Sequence, residues 1–226
     1  MTAEIRIISP SGVNCYLLKT DDGFILVDTS IGTARAKLEE DLTNAGCGPG
    51  DLKLIILTHG DTDHCGNAAY LREKFGVPIA MHSDDSGMVA TGDMSWNRKP
   101  KPDRMTLFGK LLSSLAGRMV GHAKFDTFKP DQFLEDGSKL SQYGSQAIIL
   151  YTPGHSRGSI SVLTANGDLI GGDLFMNMLK PNLHFMIDDM NAAKASIAKM
   201  RELGARTIYP GHGKPFLLEQ LAQAKY

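Results

Sequence analysis

Leu52-Lys53-Leu54-Ile55-Ile56-Leu57-Thr58-His59-Gly60-Asp61-Thr62-Asp63-His64 is the stretch that decides how this chain folds. Its first six residues are nearly all apolar, the pattern of a strand covered on both faces. The strand runs straight into a segment in which four of the six residues from His59 to His64 are His or Asp. Strand ends hold side chains on a rigid frame, and clustered imidazoles and carboxylates there suit Zn, Fe or Mn ions.

Upstream, Ile5–Ile8, Asn14–Lys19 and Phe24–Val27 are short β-rich runs separated by Ser-Pro-Ser-Gly and Asp-Asp-Gly. Those breaks carry turn chemistry and predict a meander of paired strands. Ala34 to Ala45 reads as a helix stopped at Gly46. Downstream of the motif, Asn67 to Phe75 reads as a helix and Val77 to Met81 as a strand. The second half repeats this grammar without repeating the sequence. Ala147–Tyr151, Ile160–Thr164 and Asp168–Ile170 are predicted strands, the last two joined by an Asn166-Gly167 turn. A helix over Asn191–Leu203 leads to a strand at Thr207–Tyr209.

Three further strand ends carry the same residue types. His155 lies in Thr152-Pro153-Gly154-His155, Asp173 in Gly171-Gly172-Asp173, and His212 in Pro210-Gly211-His212-Gly213. A lone His is usually a surface or hydrogen-bonded residue, and a lone Gly-Asp is usually a turn. Several strand ends that each stop in glycine plus a His or Asp are hard to explain as structure alone.

Taken in order, Thr58-His59-x-Asp61-x-Asp63-His64-x-Gly66, Thr152-Pro153-Gly154-His155-Ser156-x-Gly158-Ser159, Gly172-Asp173 and Pro210-Gly211-His212-Gly213 resemble the metallo-β-lactamase superfamily. The resemblance covers nearly the whole chain, from Asp28 onward. It implies an α/β chain in a four-layer αβ/βα sandwich: two mixed sheets face to face, helices outside, and a site on one edge. It places His59, Asp61 and His155 on a first metal, Asp63, His64 and His212 on a second, and Asp173 between them. A water or hydroxide bridging the two ions would be the nucleophile. Asp28 matches a buried carboxylate that supports the site's loops, and a simple turn cap is the other reading of it.

One position departs from that family. Residue 61 is Asp where the family usually carries His. A carboxylate oxygen is a competent ligand, but a third carboxylate lowers the net charge of the centre. That should make the bridging water less acidic and favour harder ions. Two divalent ions are expected, zinc first, with iron or manganese admitted by Asp61. Flavodiiron proteins, a branch of the superfamily, also carry a carboxylate at this position.

The expected activity is hydrolysis of a small ester, lactone, thioester or amide, with Asp63, Asp173 and His184 as catalytic candidates. The alternatives are a non-haem diiron redox protein, akin to flavodiiron proteins or sulfur dioxygenases, and a slow or non-catalytic binding module. Cys65, next to His64, reads either as a reactive thiol near the site or as a small packed side chain.

Composition narrows the partners. The 226 residues suit one domain, and 24 basic against 25 acidic residues leave a net charge of -1. No electrostatic footprint for nucleic acid follows from that balance. No apolar run approaches the ~20 residues of a membrane span, and the N-terminus lacks the pattern of a signal peptide. Three scattered cysteines fit a reducing cytoplasm rather than a disulfide framework. Residues 84–124 stand apart as an insertion. Met105 to Val120 has apolar residues at helical spacing, which fits a helix on the core, a cap over the site or a homodimer contact.

Overall fold

Neighbouring residues of a strand point to opposite faces, so strands apolar at every position must be covered twice. The computed structural model, which describes residues 4–107 and 125–223, shows how this chain meets that demand. The first sheet starts with β1 (Ile5–Ile8), β2 (Cys15–Thr20), β3 (Gly23–Val27), β4 (Leu52–Ile56) and β5 (Ile79–Met81). The first three form an antiparallel meander; β3, β4 and β5 then pair in parallel. A two-residue strand, β6 (Arg104–Met105), lies outside this sheet, and β7 (Gln132–Phe133) joins its edge beside β5.

The second sheet is built from β8 (Ile148–Tyr151), β9 (Ile160–Leu163) and β10 (Asp168–Asn177), paired antiparallel. Next come β11 (Asn182–Leu183), antiparallel to β10, and β12 (Met186–Ile187), which pairs β6 outside both sheets. β13 (Thr207–Gly213) lies parallel to β10, with β14 (Phe216–Leu217) as its antiparallel neighbour.

Parity sorts the core into three apolar layers. Leu18, Ile25, Val27, Leu54 and Ile56 of the first sheet meet Ile149, Ile160, Val162 and Ile170 of the second. On the outer face of the first sheet, Leu17, Leu26 and Ile55 pack with Leu38, Leu42 and Leu71 of α1 (Arg35–Asn44) and α3 (Ala68–Phe75). Between those helices lies α2 (Thr62–Cys65), and α4 (Ser86–Thr91) follows β5. On the outer face of the second sheet, Leu169 and Ile208 pack with Ala193, Ile197 and Met200 of α5 (Met190–Glu202). The expected four-layer sandwich of two mixed sheets is therefore present.

Three local expectations change. Thr62–Cys65, read as loop, forms α2, so Asp63 and His64 sit on a helical turn. Asp173 and His212, read as strand ends, lie inside β10 and β13. The pairing of those strands shifts register on either side of Gly172, and such bulges re-aim side chains without ending a strand. Met105, read as the first residue of a helix, instead pairs with Met186 in β6. The rest of the predicted 105–120 helix lies outside the described residues. Among the described residues, no helix is long and apolar enough to cross a membrane.

Ile170 is fully buried between the sheets. Ile170→Ala should lower unfolding free energy by roughly 2–5 kcal/mol, as expected for an unfilled cavity. Denaturant titration measures it, and a loss under about 1 kcal/mol would show that the inter-sheet layer is loosely packed.

Candidate metal centre

The motif after β4 is organised by one buried carboxylate. Asp28, 1% exposed and at φ 62, directly follows β3. Its Oδ1 accepts the Thr58 backbone N–H at 2.8 Å, and its Oδ2 accepts the Thr58 hydroxyl at 2.8 Å. Thr58 Oγ1 lies 2.9 Å from His59 Nδ1, and Asp28 Oδ2 lies 2.9 Å from His64 Nδ1. These partners occupy Nδ1 of both rings, which turns both Nε2 atoms inward. His155 is held the same way by the Met186 carbonyl, 3.0 Å from its Nδ1. Asp28 thus supports the site, as its position suggested, and is more than a turn cap.

The loops are tied across the sheets. Asp85, 1% exposed, accepts from Ser156 Oγ (2.6 Å), Gly158 N (2.8 Å) and Gly60 N (3.2 Å), joining the His59 loop to the His155 loop. Asn14 Nδ2 donates to the carbonyls of Pro210 (2.9 Å) and Gly213 (2.7 Å), and the Tyr16 hydroxyl donates to Pro210. His212 is thereby positioned from the first sheet.

All seven sequence-predicted ligands converge. Ligand atoms of His59, His155 and Asp173 lie within 4.8 Å of one another, as do those of Asp63, His64 and His212. Asp173 stands between the sets, with Oδ1 3.3 Å from His64 Nε2 and Oδ2 3.3 Å from His212 Nε2. Asp61 Oδ2 is 2.9 Å from His155 Nε2 and 3.4 Å from His59 Nε2, while its Oδ1 is held by Arg98 Nη2 at 2.6 Å.

His184 is drawn in far more firmly than a single histidine in a loop foretold. It is 3% exposed, with Nε2 3.4 Å from Asp173 Oδ2, and its donor atom groups with those of Asp173 and His212 within 4.8 Å.

Whether this set suits metal ions is tested by its unpartnered atoms. His59 Nε2, His64 Nε2, Asp173 Oδ1 and His184 Nε2 are buried without a hydrogen-bond partner. Orphaned buried polar atoms are costly, and four facing one another suit a cation better than any arrangement of protein groups. The donor set of imidazole and carboxylate fits divalent zinc, iron or manganese.

Charge follows the same geometry. Burial opposes ionisation of Asp61 and Asp173, yet Arg98 and His155 hold Asp61 well below the usual carboxylate range, and His212 and His64 do so for Asp173. Burial likewise opposes a charge on His212, but Asp173 and Asp63 raise its pKa to about 10. His184 goes the other way: burial depresses it to about 3 and keeps it neutral. Cys65, the last residue of α2, is 1% exposed in the core, and burial raises its thiol well above the ordinary range, so it packs rather than reacts.

Arg98 and Asp85 escaped sequence reasoning. Arg98 sits in a loop-like run of charges and prolines, and nothing linear marks it among 24 basic residues.

Fold and site together define a metal-centre protein on an αβ/βα sandwich. The chain belongs to the metallo-β-lactamase superfamily, whose family model matches residues 8–212. A protein named "Probable metallo-hydrolase YqgX" from Bacillus subtilis is 28% identical over 169 residues, covering 74% of this chain and 68% of that protein. "Uncharacterized protein YobT" of the same organism is 29% identical over 164 residues, covering 72% of this chain but only 62% of that protein. A metallo-beta-lactamase family protein from Thermus thermophilus aligns with TM-score 0.71 and 26% identity, over 97% of this chain and 77% of that one. The protein TTHA1623, solved in a di-iron-bound form, aligns with TM-score 0.69 and 24% identity over 97% of each chain.

A Cβ on Gly211 would lie 2.0 Å from Asp173 Oδ1 and 2.9 Å from His64 Cε1. Gly211→Ala should therefore displace Asp173 and lower metal uptake while the circular dichroism of the fold persists; full uptake would show that the cradle yields.

The raised His64 and His212 also set a pH response for metal-free protein. The folded state keeps protons that the unfolded chain releases near 6.5. For His212 the stabilisation is complete below about pH 6.5 and is lost as pH rises through about 10, and His64 acts in the same direction. Melting of chelator-stripped protein should show Tm falling from about pH 7 to about pH 10, and a flat profile would contradict the charge assignment.

Proposed function

We propose that this chain is a dinuclear metal-dependent hydrolase of a small ester, lactone, thioester or amide, with zinc as the working ion. The observation that carries the reading is the pair of three-donor sets meeting at Asp173, with unpartnered imidazole and carboxylate atoms turned inward. His59, Asp61 and His155 would hold one ion, Asp63, His64 and His212 the other, and Asp173 both. Two such ions supply a water that is nucleophilic near neutral pH and polarise the bond under attack.

The side chains divide the remaining work. Asp28, Thr58 and the Met186 carbonyl orient three of the rings, so the donors need little rearrangement on loading. Asp63 is the most exposed carboxylate of the set, 38% by side chain, which suits it to pass protons between the centre and solvent. His184, neutral and beside Asp173, offers a lone pair rather than a proton at the inner wall. The near-zero net charge argues for a small substrate over a polyanion. The relatives named as probable metallo-hydrolases support the reaction class.

Asp61 favours one second reading, iron-dependent redox chemistry, because carboxylate oxygen suits harder ions. Metal analysis of protein purified without added metal, with turnover measured on ester, lactone and thioester panels, separates the two. About two zinc ions per chain, with hydrolysis abolished in Asp173→Ala, is the expected result. Iron with reductant-dependent turnover and no hydrolysis would replace the hydrolase by the redox reading.

A further inference from the structure

Arg98 is the charged group nearest the candidate centre that neither the donor set nor the proposed reaction uses. Its side chain is 9% exposed. Nη2 donates to Asp61 Oδ1 at 2.6 Å and Nη1 donates to the His155 carbonyl at 3.2 Å. Asp188 stands farther off, with Oδ2 3.7 Å from Nη1 and without a hydrogen bond, so Asp61 is the principal counter-ion. Asp61 is shared: one oxygen faces Arg98 and the other faces His59 and His155.

The segment that delivers Arg98 is anchored on both sides. The Trp96 ring lies so close to Gly87 of α4 that a Cβ there would fall 2.0 Å from Cε2. Asn97, at φ 55, donates from Nδ2 to the Asp84 carbonyl and accepts from Arg157 Nη1. Lys99 pairs with Asp189 at 2.9 Å, and β6 pairs β12 just beyond. A cation held this firmly against a partly buried carboxylate is placed, not adventitious.

We propose that Arg98 is a positioning residue that makes Asp61 a charge-neutral substitute for histidine, so that residues 61 and 98 form one exchangeable unit at the first metal position. This rests on the dinuclear reading above. An Asp61–Arg98 pair carries the formal charge of a neutral imidazole. The guanidinium fixes which carboxylate oxygen faces His59 and His155, as outer partners of metal ligands do. The added negative charge that Asp61 suggests in the linear sequence is therefore cancelled in the fold.

A counter-intuitive consequence follows. Asp61→His gives residue 61 the type usual for the family, yet it strips a buried guanidinium of its main counter-ion beside two cations.

The test is zinc titration of chelator-stripped protein against a competing indicator, for the parent, Asp61→His, Arg98→Met and the double variant. Each stripped form is first melted to establish folding; if Asp61→His does not fold alone, the double variant, which has no unpaired guanidinium, is compared directly with the parent. Charge compensation predicts that Asp61→His weakens one of two binding events by on the order of 10–100-fold. The double variant should return to within about threefold of the parent. A mere loop staple predicts the reverse, a double variant worse than Asp61→His alone, and that result overturns the proposal. Two ions bound equally by Asp61→His and the parent overturn it too, leaving the dinuclear reading intact. A parent that binds fewer than two ions overturns both.

Discussion

Gathering Asp61, Asp63 and Asp173 with five imidazoles at one edge of a sheet sandwich is the constraint the rest of this chain answers. In isolation such a cluster would be costly: ionised groups lose hydration, and each unpartnered donor or acceptor adds a penalty. The chain meets this by pairing opposite charges throughout the cluster. Asp173 sits between His64 and His212, Asp28 beneath His64, and Arg98 against Asp61. Among the donor atoms of the centre, those left buried and unpartnered are His59 Nε2, His64 Nε2, Asp173 Oδ1 and His184 Nε2. The deficit is thus local and shaped for a cation.

The two sheets make this possible because each contributes what the other lacks. The first sheet ends in Asp28 and in the loop carrying His59 and Asp61, and Asp63 and His64 follow on α2. The second brings Asp173 and His212 on adjacent parallel strands, and His155 from the loop before β9. Their ties are hydrogen bonds among buried side chains and backbone groups: Asn14 and Tyr16 to Pro210, Ser156 and Gly158 to Asp85, and the Ile160 N–H to the Thr58 carbonyl. A shift of one sheet on the other would strain these ties and the cluster together, so the inter-sheet layer of Ile56, Val162 and Ile170 bears directly on the centre.

Most of the frame, and seven of the His and Asp residues that the fold brings together, could be read from sequence because both are local signals. Strands such as Leu52–Ile56 declare themselves by composition, and the His and Asp residues fall in short motifs with glycine. What escaped was non-local. Asp173 and His212 looked like strand ends because a glycine-rich bulge and a true terminus look alike in one dimension. His184 looked like an isolated histidine; only the return of β11 against β10 brings it to Asp173. Asp85, 71 residues from Ser156 in the chain, has no linear signature at all.

Arg98 shows where reasoning from one position misleads. Asp61 considered alone carries an added negative charge, and a more electron-rich, less electrophilic centre follows from it. The fold supplies a guanidinium 37 residues away, on a strap pinned by Trp96, Asn97 and Lys99. Charge at a buried centre is a property of everything within a few ångströms, because low dielectric lets each neighbour count. A departure from a family motif is therefore informative only together with the residue that compensates it, and in this chain the two meet at 2.6 Å.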